Sequence, residues 1–240
     1  MSEHQLEFQG PEDDEGHLNI LLYGAPKTGK TVGASSAPGP ILYLNAERPN
    51  AVRYARKLHG DNMKVVKVKG LDTMIATGEE LLANPDKWET VVIDPMGEFY
   101  RLILEGLSGR ALSPAINLYG DTGTHLERFC RFLCDGPYNA VFICHELNEK
   151  DEEGGHFERV PFSTTKSGSA AFSNKLMAMV DVIGYTGIDQ GDGDGPPRYL
   201  AQLIASKGRS GGDRFGALGK TREVNLTEWV QLARDSIAAE

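Results

Sequence analysis

A chain of 240 residues with 40% hydrophobic content is long enough to bury the core of one α/β domain, and it is read here as a single domain. Its net charge of −9 argues against an overtly basic nucleic-acid binder. No charged-then-apolar leader is present, and no apolar run approaches the ~20 residues that span a bilayer, so a cytoplasmic protein without membrane contact is expected. Cys130, Cys134 and Cys144 form an odd set without framework spacing, which fits a reducing compartment.

Residues 1–16 carry Glu3, Glu7, Glu12, Asp13, Asp14 and Glu15 with no Lys or Arg, which leaves −3 for the remainder. So acidic and apolar-poor a stretch predicts a disordered tail, followed by one domain over 17–240. From there, short β-branched runs alternate with amphipathic stretches, the pattern of a mostly parallel central sheet flanked by helices. Strands are expected at 18–23, 41–45, 64–68, 90–94 and 140–144, several of them solidly apolar as in strands buried on both faces. The intervening helices are expected at 29–36, 51–58, 73–83, 97–107 and 125–134. For the last of these, Thr124 and Glu127 read as a capping box ahead of an apolar face of Leu126, Phe129, Cys130, Leu133 and Cys134.

Beyond residue 144 the pattern changes. Residues 148–169 are polar and rich in Gly, Ser and Thr, reading as a long loop or mobile hairpin. A helix near 171–179, a strand at 180–186, the link GIDQGDGDGPP and a strand at 198–206 predict an antiparallel C-terminal extension of the sheet. The link's aspartates lack the spacing and the terminal Glu of a calcium loop and are assigned to a turn. Asn225 and Glu228 cap a final helix at 226–238.

Directly after the first strand stands GAPKTGKT: Gly24, Ala25, Pro26, Lys27, Thr28, Gly29, Lys30 and Thr31. This is the G-x-x-x-x-G-K-[ST] phosphate-binding loop. Its glycines let successive backbone N–H groups turn inward toward phosphate oxygens, Lys30 reaches the β- and γ-phosphates of ATP, and Thr31 offers a hydroxyl to Mg2+. The apolar strand Thr90-Val-Val-Ile-Asp94 delivers an acid at its end, the arrangement that holds the magnesium opposite the loop threonine. Ile41-Leu-Tyr-Leu-Asn-Ala-Glu47 carries a second carboxylate to the strand rim where open α/β sheets bind ligands, and a carboxylate there can deprotonate water for in-line attack.

On these residues the chain resembles the RecA-like P-loop ATPases, over roughly residues 18–206. YLNAE is similar to that family's strand-plus-glutamate element, which makes Glu47 the candidate general base. His145, closing Val141-Phe-Ile-Cys-His145, stands where the family carries its γ-phosphate sensor and looks more like phage-encoded members, since recombinases usually have Gln there. Ser206-Lys207-Gly208-Arg209, expected at the end of a late strand, resembles the finger element that ring or filament ATPases insert into a neighbouring subunit's site; K-x-R spacing in β conformation would send Lys207 and Arg209 the same way. The nearest fit is to small phage nucleotide-binding proteins of single-strand annealing and recombination.

That resemblance implies ATP hydrolysis, single-stranded DNA, a homo-oligomer with Lys207 and Arg209 acting in trans, and a single-strand-binding or replication protein as partner, inside a bacterial host. Two departures stand against it. The extra domains of full recombinases are absent, and the segment after His145 begins acidic, with Glu146, Glu149, Asp151, Glu152 and Glu153 offset only by Lys150, Arg159 and Lys166. Phe157 or Phe162 could stack on bases there, buried packing being the alternative use of each. The competing readings are a nucleotide-gated accessory protein that hydrolyses little and, with no Arg-rich lid visible near 100–140, a small-molecule kinase.

Overall fold

The computed structural model describes residues 16–109, 114–150, 157–162, 169–190, 197–206 and 208–239, with only the backbone described at 148–150, 157–160, 162 and 169–171. Lys207 and the acidic segment 1–15 lie outside the described residues. Among the described residues the strands are β1 (Asn19–Gly24), β2 (Ile41–Asn45), β3 (Met63–Lys67), β4 (Thr90–Asp94), β5 (Asn139–Lys150), β6 (Phe157–Phe162), β7 (Val182–Asp189), β8 (Arg198–Gln202), β9 (Gly212–Asp213) and β10 (Thr221–Glu223). They form one sheet in the order β10-β8-β7-β1-β5-β4-β2-β3, with β6 added to β5 and β9 to β7. The block β7-β1-β5-β4-β2-β3 is parallel throughout. β8, β10, β9 and β6 pair antiparallel, so the expected mostly parallel core with an antiparallel C-terminal extension is what the chain builds.

Side chains of the central strands alternate between two packed layers, as a period of two requires. Leu21, Tyr23, Leu44, Ile93 and Phe142 face α3 (Leu71–Ala83), α4 (Met96–Ser108) and α5 (Ile116–Cys134). Ile20, Leu22, Tyr43, Val92, Val141 and Ile143 face α1 (Lys30–Ser35), α2 (Arg53–His59) and α7 (Leu226–Ala238), whose Trp229 is fully buried. Both faces being covered explains the unbroken apolar runs. α6 (Ser169–Met179) packs beside α5 and β6, and no helix of the described residues is long and apolar enough to cross a membrane.

Several boundaries differ from the sequence reading. α5 begins at Ile116 rather than at residue 125, so Thr124 is no cap: its Oγ1 donates back to Gly120 O at 3.0 Å inside the helix. Gly120 and Gly123 have poor helix propensity, yet packing holds this stretch helical, with Phe99 against Phe129 at 6.0 Å and the Tyr100 hydroxyl on Tyr119 O. The polar stretch after residue 147 is in part a hairpin, registered from His145↔Phe162 to Lys150↔Phe157. Gly16, assigned to the tail, is buried, and its carbonyl accepts from Arg234 of α7 at 3.1 Å. Asn225 caps α7 as expected, accepting from Glu228 N.

β1 and β7 come so close at the top of the sheet that a Cβ on Gly24 would sit 2.7 Å from Thr186 O, at a backbone φ of +150°. Gly24→Ala is therefore expected to cost about 1–3 kcal/mol in urea unfolding, before any ligand is considered.

Candidate active site

The loop between β1 and α1 closes on itself around its lysine. Gly29, at φ 85°, takes the left-handed conformation at the α1 N-cap, and Lys27 shares that region at φ 68°. Lys30 is only 5% exposed. Its Nζ donates to Gly24 O at 2.8 Å and to Ala25 O at 2.6 Å, with Thr28 Oγ1 at 3.4 Å. Burial pulls the Lys30 amine below its usual range, and the charge of Asp94 opposes that shift. Thr28 fastens the loop to β7, its hydroxyl 2.6 Å from Thr186 Oγ1, which in turn donates to Tyr23 O.

Asp94 closes β4 at 5% exposure. One carboxylate oxygen, Oδ2, accepts from Thr31 Oγ1 at 2.8 Å and from the Tyr43 hydroxyl at 2.5 Å. Burial raises its pKa above the usual carboxylate range despite those two donors, and Tyr43, buried beside it, is raised as well. Thr31 and Asp94 thus stand together as an oxygen-only donor pair. No cluster of three His, Cys, Asp or Glu exists among the described residues, so a cation here would complete its shell with nucleotide phosphates and water, which is the habit of magnesium.

Glu47 lies two residues beyond β2, and the turn that carries it is tied down. Ala46 N donates to Asp94 O at 2.8 Å, and Glu47 N donates to the Asn45 side chain at 3.1 Å. Parallel register sets His145 opposite Gly24 across β1 and β5. His145 Nε2 lies 3.5 Å from Glu47 Oε1, with the two side chains 39% and 42% exposed and so open to a ligand and to water. The other ring nitrogen, Nδ1, is buried and has no hydrogen-bond partner among the described residues. Lys30, Thr31, Glu47, Asp94 and His145 all line one cavity of about 430 Å³ together with Pro26, Lys27, Gly29, Tyr54 and Tyr199.

The finger element is built differently from the expectation. β8 ends at Gln202, and Ser206 and Arg209 exchange two backbone hydrogen bonds across a tight turn in which Gly208 has φ 76°. The segment is therefore a turn and not a strand end, because the positive φ of Gly208 reverses the chain. Lys207 is outside the described residues. The Arg209 guanidinium stacks 4.6 Å over the Tyr185 ring and lines a separate cavity with Ser206 and Ser210, so it is not brought to the nucleotide cavity of its own chain.

Three contributors were not singled out in the sequence. Tyr43 carried a signal, since a tyrosine in a fully buried strand needs a partner for its hydroxyl. Tyr54 and Tyr199 carried none; Tyr199 reaches the loop from β8, close enough that a Cβ on Gly29 would lie 2.5 Å from its ring. The raised Asp94 pKa has a testable sign: stability attributable to this group is fully present below the ordinary carboxylate pKa and is lost as pH rises through the higher folded value. Asp94→Asn should remove that component from the pH profile of urea unfolding and abolish the magnesium dependence of nucleotide binding.

A family model described as an AAA domain matches residues 17–216. Among solved structures, the chain is similar to the KaiC-like protein PH0186 from the hyperthermophilic archaeon Pyrococcus horikoshii OT3, with a TM-score of 0.42 and 13% identity over 80% of each chain. No curated protein matches it. With 17–216 covering the phosphate-binding loop, Glu47, Asp94 and His145 alike, the chain belongs to the AAA domain family of P-loop ATPases.

Proposed function

We propose that this ATPase domain hydrolyses ATP with Glu47 as general base and works as a homo-oligomer on single-stranded DNA, in strand annealing or recombination of the phage type. The observation that carries the hydrolytic reading is the meeting of Glu47, His145, Lys30 and the Thr31–Asp94 pair around one cavity. Lys30 exchanges loop carbonyls for β- and γ-phosphate oxygens, while the backbone N–H groups of the loop hold the phosphate chain. Thr31 and Asp94 are the donors for magnesium, which when bound supplies charge neutralisation on those oxygens. Glu47 takes a proton from the water attacking the γ-phosphorus in line as the bond to the ADP oxygen breaks. His145, within reach of both Glu47 and the cavity, hydrogen-bonds the γ-phosphate or that water and passes nucleotide state into β5 and β6.

Arg209 supports a site completed between subunits. It stands outside its own nucleotide cavity with its guanidinium over the Tyr185 ring, a placement that leaves it available to a neighbour's developing phosphoryl charge. Phosphate release per subunit should then rise with protein concentration and with added single strands, and a rate per subunit that is constant from nanomolar to micromolar protein would remove the finger in trans. Glu47→Gln should lower turnover by about 10²-fold or more with ATP affinity unchanged. Slow turnover indifferent to that change would favour a nucleotide-gated binding protein instead.

A further inference from the structure

Residues 48–69 break sharply with the acidity of the chain. They hold Arg48, Arg53, Arg56, Lys57, Lys64, Lys67 and Lys69 against the single acid Asp61, a net +6 within a chain of −9. All seven are exposed, and among the described residues none takes part in an ion pair. Several cations elsewhere behave differently: Arg131, Arg198, Arg214 and Arg222 each sit on a carboxylate. The basic segment spans the turn after β2, helix α2 and strand β3, which ends the sheet and has one unpaired edge. On α2, Arg53, Arg56 and Lys57 fall at i, i+3 and i+4 and share a face. Two large apolar side chains are exposed on the same helix, Tyr54 at 58% and Leu58 at 48%.

Lysines on a sheet edge also guard it against pairing with other chains. That purpose accounts for Lys64 and Lys67 but not for four cations on the turn and helix without an ion pair among the described residues, nor for a net +6 in an acidic protein. Uncompensated cations with an interleaved exposed tyrosine match a phosphodiester backbone whose unstacked bases seek an aromatic face. The patch also abuts the nucleotide site. Tyr54 lines the nucleotide cavity, and Arg48 and Lys67 line a second one of about 910 Å³ that shares Glu47 and Ala51 with it.

We propose that the basic surface of α2, β3 and their flanking turns is the docking site for single-stranded DNA, with the acidic hairpin after His145 lying off the strand's path. This rests on the single-strand reading above and assigns its location. The test uses the full chain, a fluorescein-labelled oligo(dT) and anisotropy across a salt series, with Arg53, Arg56 and Lys57 together changed to Glu. The triple variant should bind at least about tenfold more weakly, with its log–log salt slope reduced by about 2, since each lost phosphate contact on a single strand is worth ~0.7. Its affinity for a fluorescent ATP analogue and its strand-free turnover should stay at wild-type values, while stimulation of turnover by the oligonucleotide disappears.

Wild-type binding that the triple variant retains would overturn this location and leave the single-strand reading standing. No wild-type binding to the oligonucleotide would sink both. Equal competition by polyglutamate of matched charge would mark a generic polyanion surface and overturn the proposal, as would charge-dependent capture by phosphatidylserine vesicles without oligonucleotide binding.

Discussion

A carboxylate kept out of water holds the phosphate-loop end of this molecule together. Asp94 ends the strand β4 and accepts from Thr31 of the phosphate-binding loop and from Tyr43 of β2, so one oxygen ties three segments at the sheet edge. Its desolvation raises the cost of its charge, which the two hydroxyls offset only in part. A buried group of this kind is poorly placed for stability and well placed for a cation: the energy lost in burying the charge is recoverable when a divalent ion approaches it. Lys30 shows the complementary arrangement, an amine pulled down by burial and supported by loop carbonyls and the charge of Asp94.

Strand order decides which groups can share that neighbourhood. Because β5 is inserted between β1 and β4, His145 rises beside the loop that opens at Gly24 and next to the strand that carries Asp94. β2 lies on the far side of β4 in full register, with Asn45 opposite Asp94, and the Asn45 side chain then steers the turn that presents Glu47. Two carboxylates, an imidazole and an amine from four distant stretches of sequence thereby converge without any unusual loop. The close approach of β7 to β1, forced at Gly24 and fastened by Thr28 and Thr186, fixes the loop from the opposite side.

Charge is segregated as strictly as the site is assembled. The acidic start of the hairpin after His145 is partly used inside the fold, where Glu146 accepts from the Tyr185 hydroxyl at 3.0 Å and Tyr185 supports Arg209 on its ring face. Among the described residues, the longest run of cations without an ion pair lies at the β3 end of the sheet. Averaging over the whole chain conceals this, which is why a net charge of −9 by itself says little about partners.

Much of the architecture was legible along the chain, because solid apolar strands and the phosphate-binding loop are local patterns with local causes. The five early strands fall within a residue or so at their starts, GAPKTGKT begins at the end of β1, Asp94 closes β4, and Glu47 follows β2 by two residues. Helix α5 was legible only in part: Thr124 and Glu127 look like a capping box at its start, but contacts from Phe99 and Tyr100 hold the chain helical from Ile116. The strand expected to run to residue 206 ends at Gln202, because the left-handed backbone at Gly208 depends on how Ser206 and Arg209 pair. The sequence by itself therefore determined the phosphate-holding chemistry and the class of sheet, since both follow from residue type and spacing. Only the tertiary structure decided that Tyr43 supports Asp94, that His145 meets Glu47 and that Arg209 faces away from its own cavity, because these contacts join residues 24 to 98 positions apart or depend on strand order, which no local pattern encodes.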